Sequence, residues 1–374
     1  MVIFRGADYW IKNNTGSFIN IRNRKTTGSA LNDLKRQGLA RPFSETGPWN
    51  TPFTGGESWY DSAMLRTVTP DEQTQLGQPT NIRHWYMAEA SVKAWYSTNS
   101  DPEWTFVMPT YIYTPFNRNR AASTFTFRCP ANMVENQDDD HILVVINMDT
   151  GDMVEIWQAE TTDSPLAEGL SHQANWEKQT LAAYTATNRI FGGVVAPGWA
   201  RSNVMTDNGA GSTVSPPTGL GTNDGTRAAN FSWLAGLLTQ RDWDSSSIDH
   251  AIVCALGYVT LDNANMIAPA TGIDNGGHSG PMYIGDRIGI PPGTSMPSFS
   301  PAVATLGAKV FTCLQTYGIY VGDFAGSAYP MLYCDSGMSD TTVWHPLFIW
   351  WDSFTSVMDA LSPLLRVANR NPGA

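Results

Sequence analysis

Turn-forming residues interrupt this sequence so often that long solvated helices are excluded over most of its length. The 374 residues include 33 glycines and 23 prolines, with many Asn, Ser and Thr besides, while charged residues make up only 15%. Short strands joined by tight turns satisfy that pattern. The expected fold is therefore mainly β: a β-sandwich or jelly-roll-like domain with a few peripheral helices. The length allows one large β-rich domain or two smaller ones with a substantial core, and one elaborated domain is the preferred reading.

Apolar runs and alternation locate the strands. Val107 to Tyr113, Phe125 to Cys129, Ile142 to Asn147 and Met153 to Gln158 read as strands, and Asp149-Thr150-Gly151-Asp152 reads as the turn between the last two. Residues 203–227 are poor in apolar side chains and read as a long surface loop or lid. Strand character resumes from Ile252 to Leu261, and residues 262–280 read as a second loop. One segment has helical spacing: Ser300 as N-cap, Pro301 at the first helical position, Val303, Leu306, Val310, Leu314 and Tyr317 on one face, and Gly318 as the left-handed stop. The strand Ile319-Tyr320-Val321 should follow it and deliver Asp323 at its far end. The expected organisation is an N-terminal arm or added layer over residues 1–45, a β-rich main domain over 46–340, and a partly helical tail over 341–374 packed on the body.

Charge and cysteine usage remove several function classes. A net charge of -11 leaves no basic stripe for phosphates, so no nucleic-acid partner is expected. No apolar segment reaches the length of a membrane span. Cys129, Cys254, Cys313 and Cys334 form no CxxC pair and no zinc-ligand spacing; buried free thiols are the expectation, with one disulfide as the alternative and a disulfide framework excluded. The N-terminal residues lack the basic start, apolar run and cleavage site of a secretory signal. An extracellular or virion-associated protein with no signal peptide in this chain is the expectation. No nucleophile elbow, HExxH or dinucleotide fingerprint is present.

Only six histidines occur in the chain, and two of them follow aspartate and lead into apolar runs, Asp140-His141 and Asp249-His250. Strand alternation turns neighbouring side chains to opposite faces, so the orienting carboxylate for each imidazole should come from elsewhere, with Asp323 or Asp286 as candidates. An imidazole beside a carboxylate suits general acid/base work near neutral pH. Arg287 could neutralise a uronate or a developing negative charge. The candidate catalytic set is therefore His141, His250, Arg287 and Asp323, with His278 and Tyr317 in reserve. The competing reading is that each histidine bonds only to backbone at a strand end. Glycoside hydrolysis usually needs two carboxylates, and Asp140, Asp249, Asp323, Glu155 and Glu177 supply candidates without a distinguishing spacing.

Flat rings with polar edges suit the faces of pyranosides, so Trp49, Trp85, Trp95 and Trp104 are candidate substrate-binding residues, against the alternative that they fill the core. No cofactor is expected. A structural calcium ion at Asp138-Asp139-Asp140-His141 is the alternative to a solvated acidic turn, and that run lacks the spacing of an EF-hand loop.

Five short motifs occur in order: Pro48-Trp49-Asn50-Thr51-Pro52, Asp140-His141-Ile142-Leu143-Val144-Val145, Ile248-Asp249-His250-Ala251, Gly285-Asp286-Arg287-Ile288, and Leu314 to Asp323. The set resembles a group of secreted bacterial and plant β-rich proteins whose stretches read W-N-x-P, D-x-H-x-L-V-V-D, I-x-H-A-L, G-x-R-L-R-L and Y-G-M-x-x-A-D-N-G. The chain departs from that pattern where Asp140 directly precedes His141 and where Phe324-Ala325-Gly326 replaces Asn-Gly-Ser. The resemblance implies a β-rich extracellular protein acting on carbohydrate.

Together these readings predict a polysaccharide-degrading hydrolase or lyase with a glycan as partner. The alternative is a non-catalytic structural or glycan-binding protein, such as a virion surface or adhesion component. Homo-oligomers are compatible with either.

Overall fold

The turn expected at Asp149–Asp152 seeds the first β layer. The computed structural model describes residues 2–5, 8–12, 18–20, 43–61, 85–87, 92, 94–108, 111–113, 118–120, 123–131, 133, 142–156, 159–161, 189–191, 199–203, 227–257, 260–273, 278, 280–325, 330–334 and 345–370. Strands Leu143–Asn147 and Asp152–Ile156 pair antiparallel, with Leu143 opposite Ile156 and Ile146 opposite Met153. Gly151 turns the chain at φ +76°, and its N–H donates to the Asn147 carbonyl at 2.7 Å. Ala94–Ser97 adds parallel to one edge of this hairpin and Trp199–Asn203 antiparallel to the other, making a four-stranded sheet.

A second four-stranded sheet runs in the order Ser123–Arg128, Glu103–Met108, Arg189–Phe191, Glu160–Thr161. Alternation along each strand decides which side chains meet between the two sheets. Leu143, Val145, Val154 and Ile156 share one buried cluster with Trp104, Phe106, Phe125 and Phe127. On the opposite face of the hairpin, Val144, Ile146, Met153 and Glu155 are buried too. Both faces of the hairpin are therefore covered, which explains its nearly continuous apolar sequence.

A seven-stranded mixed sheet holds the rest of the fold. Its order is Trp59–Asp61, Arg366–Ala368, Arg287–Gly289, Ile319–Phe324, Ile252–Leu256, Met331–Leu332, Tyr86–Met87. The central pair, Ile252–Leu256 and Ile319–Phe324, is parallel, and the chain between them includes helix Ala304–Thr316. That helix packs against strand Arg287–Gly289 and against helix His345–Leu361. Its buried face carries Leu306, Val310, Phe311, Cys313 and Leu314, as the spacing predicts. Gly318 ends it at φ +73°, but it starts at Ala304 rather than at Pro301. Ser300 to Val303 form a turn instead, closed by Val303 N–H to the Ser300 carbonyl at 3.0 Å.

Two further expectations are revised. Residues 261–266 form a strand, Leu261–Met266, paired parallel with Met282–Ile284 through an irregular register, where the sequence reads as loop. The C-terminal tail does more than dock: Arg366–Ala368 is inserted in the mixed sheet between Trp59–Asp61 and Arg287–Gly289. Beyond it, Arg370 forms a two-point ion pair with the buried carboxylate of Asp286, donates to the Pro281 carbonyl, and lies over the Tyr283 ring. Asp286 is thereby occupied as a structural anchor and not as a partner of histidine.

Strand exceeds helix among the described residues, so the protein is mainly β. The chain divides into two compact units, Met1–Ala40 and Arg41–Ala374. The first contains an antiparallel three-stranded meander, Val2–Arg5, Asp8–Lys12 and Phe18–Asn20. All four cysteines are buried free thiols, matching the expectation. No helix among the described residues is long and apolar enough to cross a membrane.

Gly285 marks the tightest backbone approach beside the Asp286 anchor. It sits at φ +91°, and a Cβ there would lie 1.9 Å from the Ile267 carbonyl oxygen. Gly285→Ala should therefore lose at least about 1 kcal/mol of stability, read as a shift in the denaturant midpoint with an unchanged slope.

Candidate functional site

The sequence-derived site residues separate into structural and surface-facing groups once their partners are followed. His250 is buried, with one ring nitrogen 3.2 Å from Asp242 Oδ1 and the other 3.0 Å from the Ala251 carbonyl. Asp242 belongs to the short helix Gln240–Asp244 and completes a capping box: Thr239 N–H and Oγ1 both donate to its Oδ2 at 2.7 Å. At the other end of that helix, Lys309 donates to the carbonyls of Asp242, Trp243 and Ser245. Burial pushes the Lys309 ammonium below its ordinary pKa, opposed by the charges of Asp242 and Asp244. Cys313 Sγ donates to the His250 carbonyl at 3.3 Å. His250 thus ties the short helix, the long helix and the start of strand Ile252–Leu256 together. Both of its ring nitrogens are used, which corrects its assignment as a proton-transfer group.

Arg287 also serves the frame. Its Nε donates to the Tyr317 carbonyl at 2.8 Å, its Nη2 donates to the Thr51 carbonyl at 2.7 Å, and its guanidinium lies 3.9 Å from the Phe53 ring centroid. Burial lowers its pKa, with Tyr320 and Glu57 acting in the opposite sense. Two of its five N–H donors are thereby committed to backbone carbonyls and its face to a ring, which makes it a tie between Thr51, Phe53 and Tyr317. Tyr317 caps the long helix and enters this set through its carbonyl.

Three of the four tryptophans are likewise corrected, because a ring with no exposed face cannot stack on a sugar. Trp49 is 1% exposed and packs edge-on against Phe231 and Tyr320, at 4.9 and 5.1 Å between centroids. Trp85 is fully buried and pins the C-terminal helix: its N–H donates to Asp359 Oδ1 at 2.9 Å and its Nε1 to Ser362 Oγ at 2.7 Å. Trp104 is fully buried in the cluster between the two four-stranded sheets, and Trp95 is partly buried against that cluster. His141 and the acidic run Asp138–Asp140 lie outside the described residues, as does Glu177. Among the described residues no three His, Cys, Asp or Glu side chains converge to hold a metal ion.

Asp323 stands apart from these frame residues. It lies at the carboxyl end of Ile319–Phe324, beside the carboxyl end of its parallel neighbour Ile252–Leu256. The register slips between Cys254 and Ala255, which face Val321 and Asp323, so Gly322 is the extra residue of a bulge. Bulges re-aim the side chain that follows them. A Cβ on Gly322 would lie 2.6 Å from Val253 Cγ2, so the close packing beneath the bulge requires glycine.

Beneath Asp323 lies Arg227, fully buried, its guanidinium 4.0 Å from the ring centroids of both Trp233 and Tyr333. Its Nη2 donates to the Trp233 carbonyl at 3.4 Å, and its Nη1 is 3.9 Å from Asp323 Oδ2. Burial drives the Arg227 pKa down, while Tyr333, Asp323 and Glu155 oppose that shift. Glu155, on the hairpin sheet, is fully buried and accepts from Ser232 Oγ at 2.7 Å and Trp233 N–H at 2.9 Å. The Asp323 side chain keeps 17% of its surface exposed, so of the two carboxylates near Arg227 only this one reaches solvent.

Two loops flank the Asp323 turn. Ala229 N–H donates to the Gly322 carbonyl at 3.1 Å, and Asn230, at φ +60°, donates through Nδ2 to Thr271 Oγ1 at 3.1 Å. His278 stacks its ring on Phe324 with centroids 5.0 Å apart, while its N–H donates to Asn263 Oδ1 at 3.0 Å. His278 and Phe324 are both partly exposed. The set Asp323, His278 and Phe324 over Arg227 is the candidate functional site. It holds a carboxylate and, on the next residue of the strand, a ring stacked by an imidazole. Asp323 and His278 belong to the sequence-derived set, and Arg227 does not. Its one sequence signal is that it is the sole basic residue between Arg201 and Arg241, just ahead of the apolar run Phe231–Leu238.

No family model, curated protein or solved structure matches the chain.

The His250–Asp242 pair has a definite pH signature. Burial of the ring lowers the His250 pKa, but the charge of Asp242 and the two hydrogen bonds outweigh it, so the net shift is upward. For Asp242, burial raises the pKa, and the His250 charge together with the bonds from His250 and Thr239 brings it below the ordinary value. The stabilisation is therefore whole between the unfolded pKa values of about 3.9 for Asp and about 6.5 for His. It is lost as pH rises through the raised His250 value and as pH falls through the lowered Asp242 value. Melting temperatures measured across pH should fall on both limbs, and Asp242→Asn should flatten both while lowering the plateau.

Arg227→Met should destabilise by about 3–5 kcal/mol, because it leaves Asp323 and Glu155 facing each other's charge without a cation. Arg227→Lys should not restore the loss, since an ammonium cannot fill the planar slot between Trp233 and Tyr333. Chemical denaturation of both variants checks this; a wild-type midpoint for Arg227→Lys would refute the slot argument.

Proposed function

We propose that this protein is carbohydrate-active and that its sugar-facing groups are Asp323, His278 and Phe324. The observation that carries the proposal is the half-sheltered Asp323 carboxylate at the bulged end of the parallel strand pair; the next residue, Phe324, stacks on His278. A carboxylate accepts from sugar hydroxyls, and an aromatic edge and an imidazole supply the apolar and polar contacts a pyranose needs. The fold belongs to the same proposal. Two four-stranded sheets sharing a buried cluster support a β-sandwich or jelly-roll-like layer, with the helices at the periphery.

In the degradative form of this reading, Asp323 takes a proton from the attacking water while His278 gives one to the leaving glycosidic oxygen. The bond from the anomeric carbon to that oxygen breaks, and the water oxygen replaces it. Glycan binding without turnover is the second reading. It is favoured by one observation: Glu155 is sealed beneath Arg227, so a single carboxylate of this cluster can approach a sugar.

Incubation with a polysaccharide panel separates the forms, with new reducing ends reporting cleavage, unsaturated uronates reporting elimination and a glycan array reporting binding. Turnover is expected to fall on the order of 100-fold or more in Asp323→Asn and in His278→Ala. Binding without turnover, weakened by the same variants, would establish the second form. Neither turnover nor binding across a broad panel would overturn the carbohydrate reading.

A further inference from the structure

We infer that the site takes neutral sugars and rejects uronates and other anionic glycans; this rests on the carbohydrate reading above and narrows it to one substrate class. The charge inventory points that way. Between residues 228 and 365 the sequence holds three basic side chains, Arg241, Arg287 and Lys309, against eleven aspartates and no glutamate. Together with the net charge of -11, that excess of carboxylates disfavours the approach of an anionic chain.

Among the described residues, Arg227, Arg287, Lys309 and Arg370 each have partners. Arg227 lies beneath Asp323, fully buried, between one carboxylate above it and a second, Glu155, on the hairpin sheet. Arg287 is held by the Tyr317 and Thr51 carbonyls and the Phe53 ring, and Lys309 by three carbonyls at the end of the short helix. Arg370 is paired with Asp286. A uronate recognised in a protein site normally meets a bidentate arginine or a helix N-terminus. Here the solvent-reaching member of the Arg227 cluster is the carboxylate, and the loops beside its turn carry the neutral pair Asn230 and Thr271, joined by an amide-to-hydroxyl hydrogen bond. Carboxylate and amide groups pair with hydroxyls, which neutral sugars present in number and which carry no charge to repel.

The test uses matched substrates. Each neutral polysaccharide is compared with its own counterpart in which the primary alcohols have been oxidised to carboxylates, so that backbone and linkage stay the same. Binding is read by titration calorimetry at low and at moderate salt, and turnover by reducing ends. At least one neutral chain is expected to bind or turn over, with a tenfold or greater loss on its oxidised form at low salt. That gap should narrow as salt screens the repulsion. Ala325→Lys places a cation beside Phe324, at a partly exposed position whose N–H donates to the Leu256 carbonyl, a backbone bond the substitution keeps. It should improve the oxidised chain and leave the neutral one unchanged. Oxidised chains bound as well as or better than neutral ones overturn this inference and leave the carbohydrate reading standing. Silence on both members of every pair overturns the carbohydrate reading itself.

Discussion

The buried guanidinium of Arg227 is the interaction on which the arrangement of the second unit turns. It lies between Trp233 and Tyr333, with Asp323 on the mixed sheet above it and Glu155 on the hairpin sheet acting on it through charge. Glu155 in turn holds the Ser232–Trp233 turn through two hydrogen bonds. Two β sheets are thereby joined through one charge cluster. A charge buried alone would be prohibitive, so the three groups must be placed together or not at all. That condition fixes where the segment from Arg227 to Leu238 can lie, and with it the position of the Asp323 turn.

The same logic of engaged polar groups explains the remaining frame. His250, Lys309 and Asp242 close the short helix against the long one, and Ala251 N–H donates to the Trp49 carbonyl, bringing the N-terminal side of the unit to the central strands. Arg287 ties Thr51 and Tyr317 across the mixed sheet. The short motifs around Trp49, His250, Arg287 and Tyr317 therefore meet at one place for structural reasons. Asp323 belongs to the last of these motifs, but the bulge at Gly322 turns it away from the frame and toward solvent.

Much of the fold was legible from residue pattern. The hairpin Leu143–Ile156 followed from a turn signal between two apolar runs, and the helix ending at Gly318 followed from spacing and a left-handed stop. The helix start was misplaced because Ser300-Pro301 is an equally good turn signal, and the three residues after it close a turn. Strand Leu261–Met266 was missed because Asp262, Asn263, Ala264 and Asn265 have low strand propensity; partnering with Met282–Ile284 outweighs it. Of the site, Asp323 and His278 were legible as chemistry-bearing side chains, while Trp49, Trp85 and Trp104 were legible only as rings whose exposure the sequence could not specify.

By itself the sequence determined the class of the fold, the net acidic charge and the residue types able to carry chemistry, because turn frequency, charge and alternation are local properties. Which histidine is occupied and which carboxylate reaches solvent were decided only by tertiary structure. Those outcomes depend on partners distant in sequence: Asp242 for His250, Arg370 for Asp286, and Arg227 for both Glu155 and Asp323. A polar group's function is what remains after burial has claimed its hydrogen-bonding capacity, and burial is a property of the whole fold.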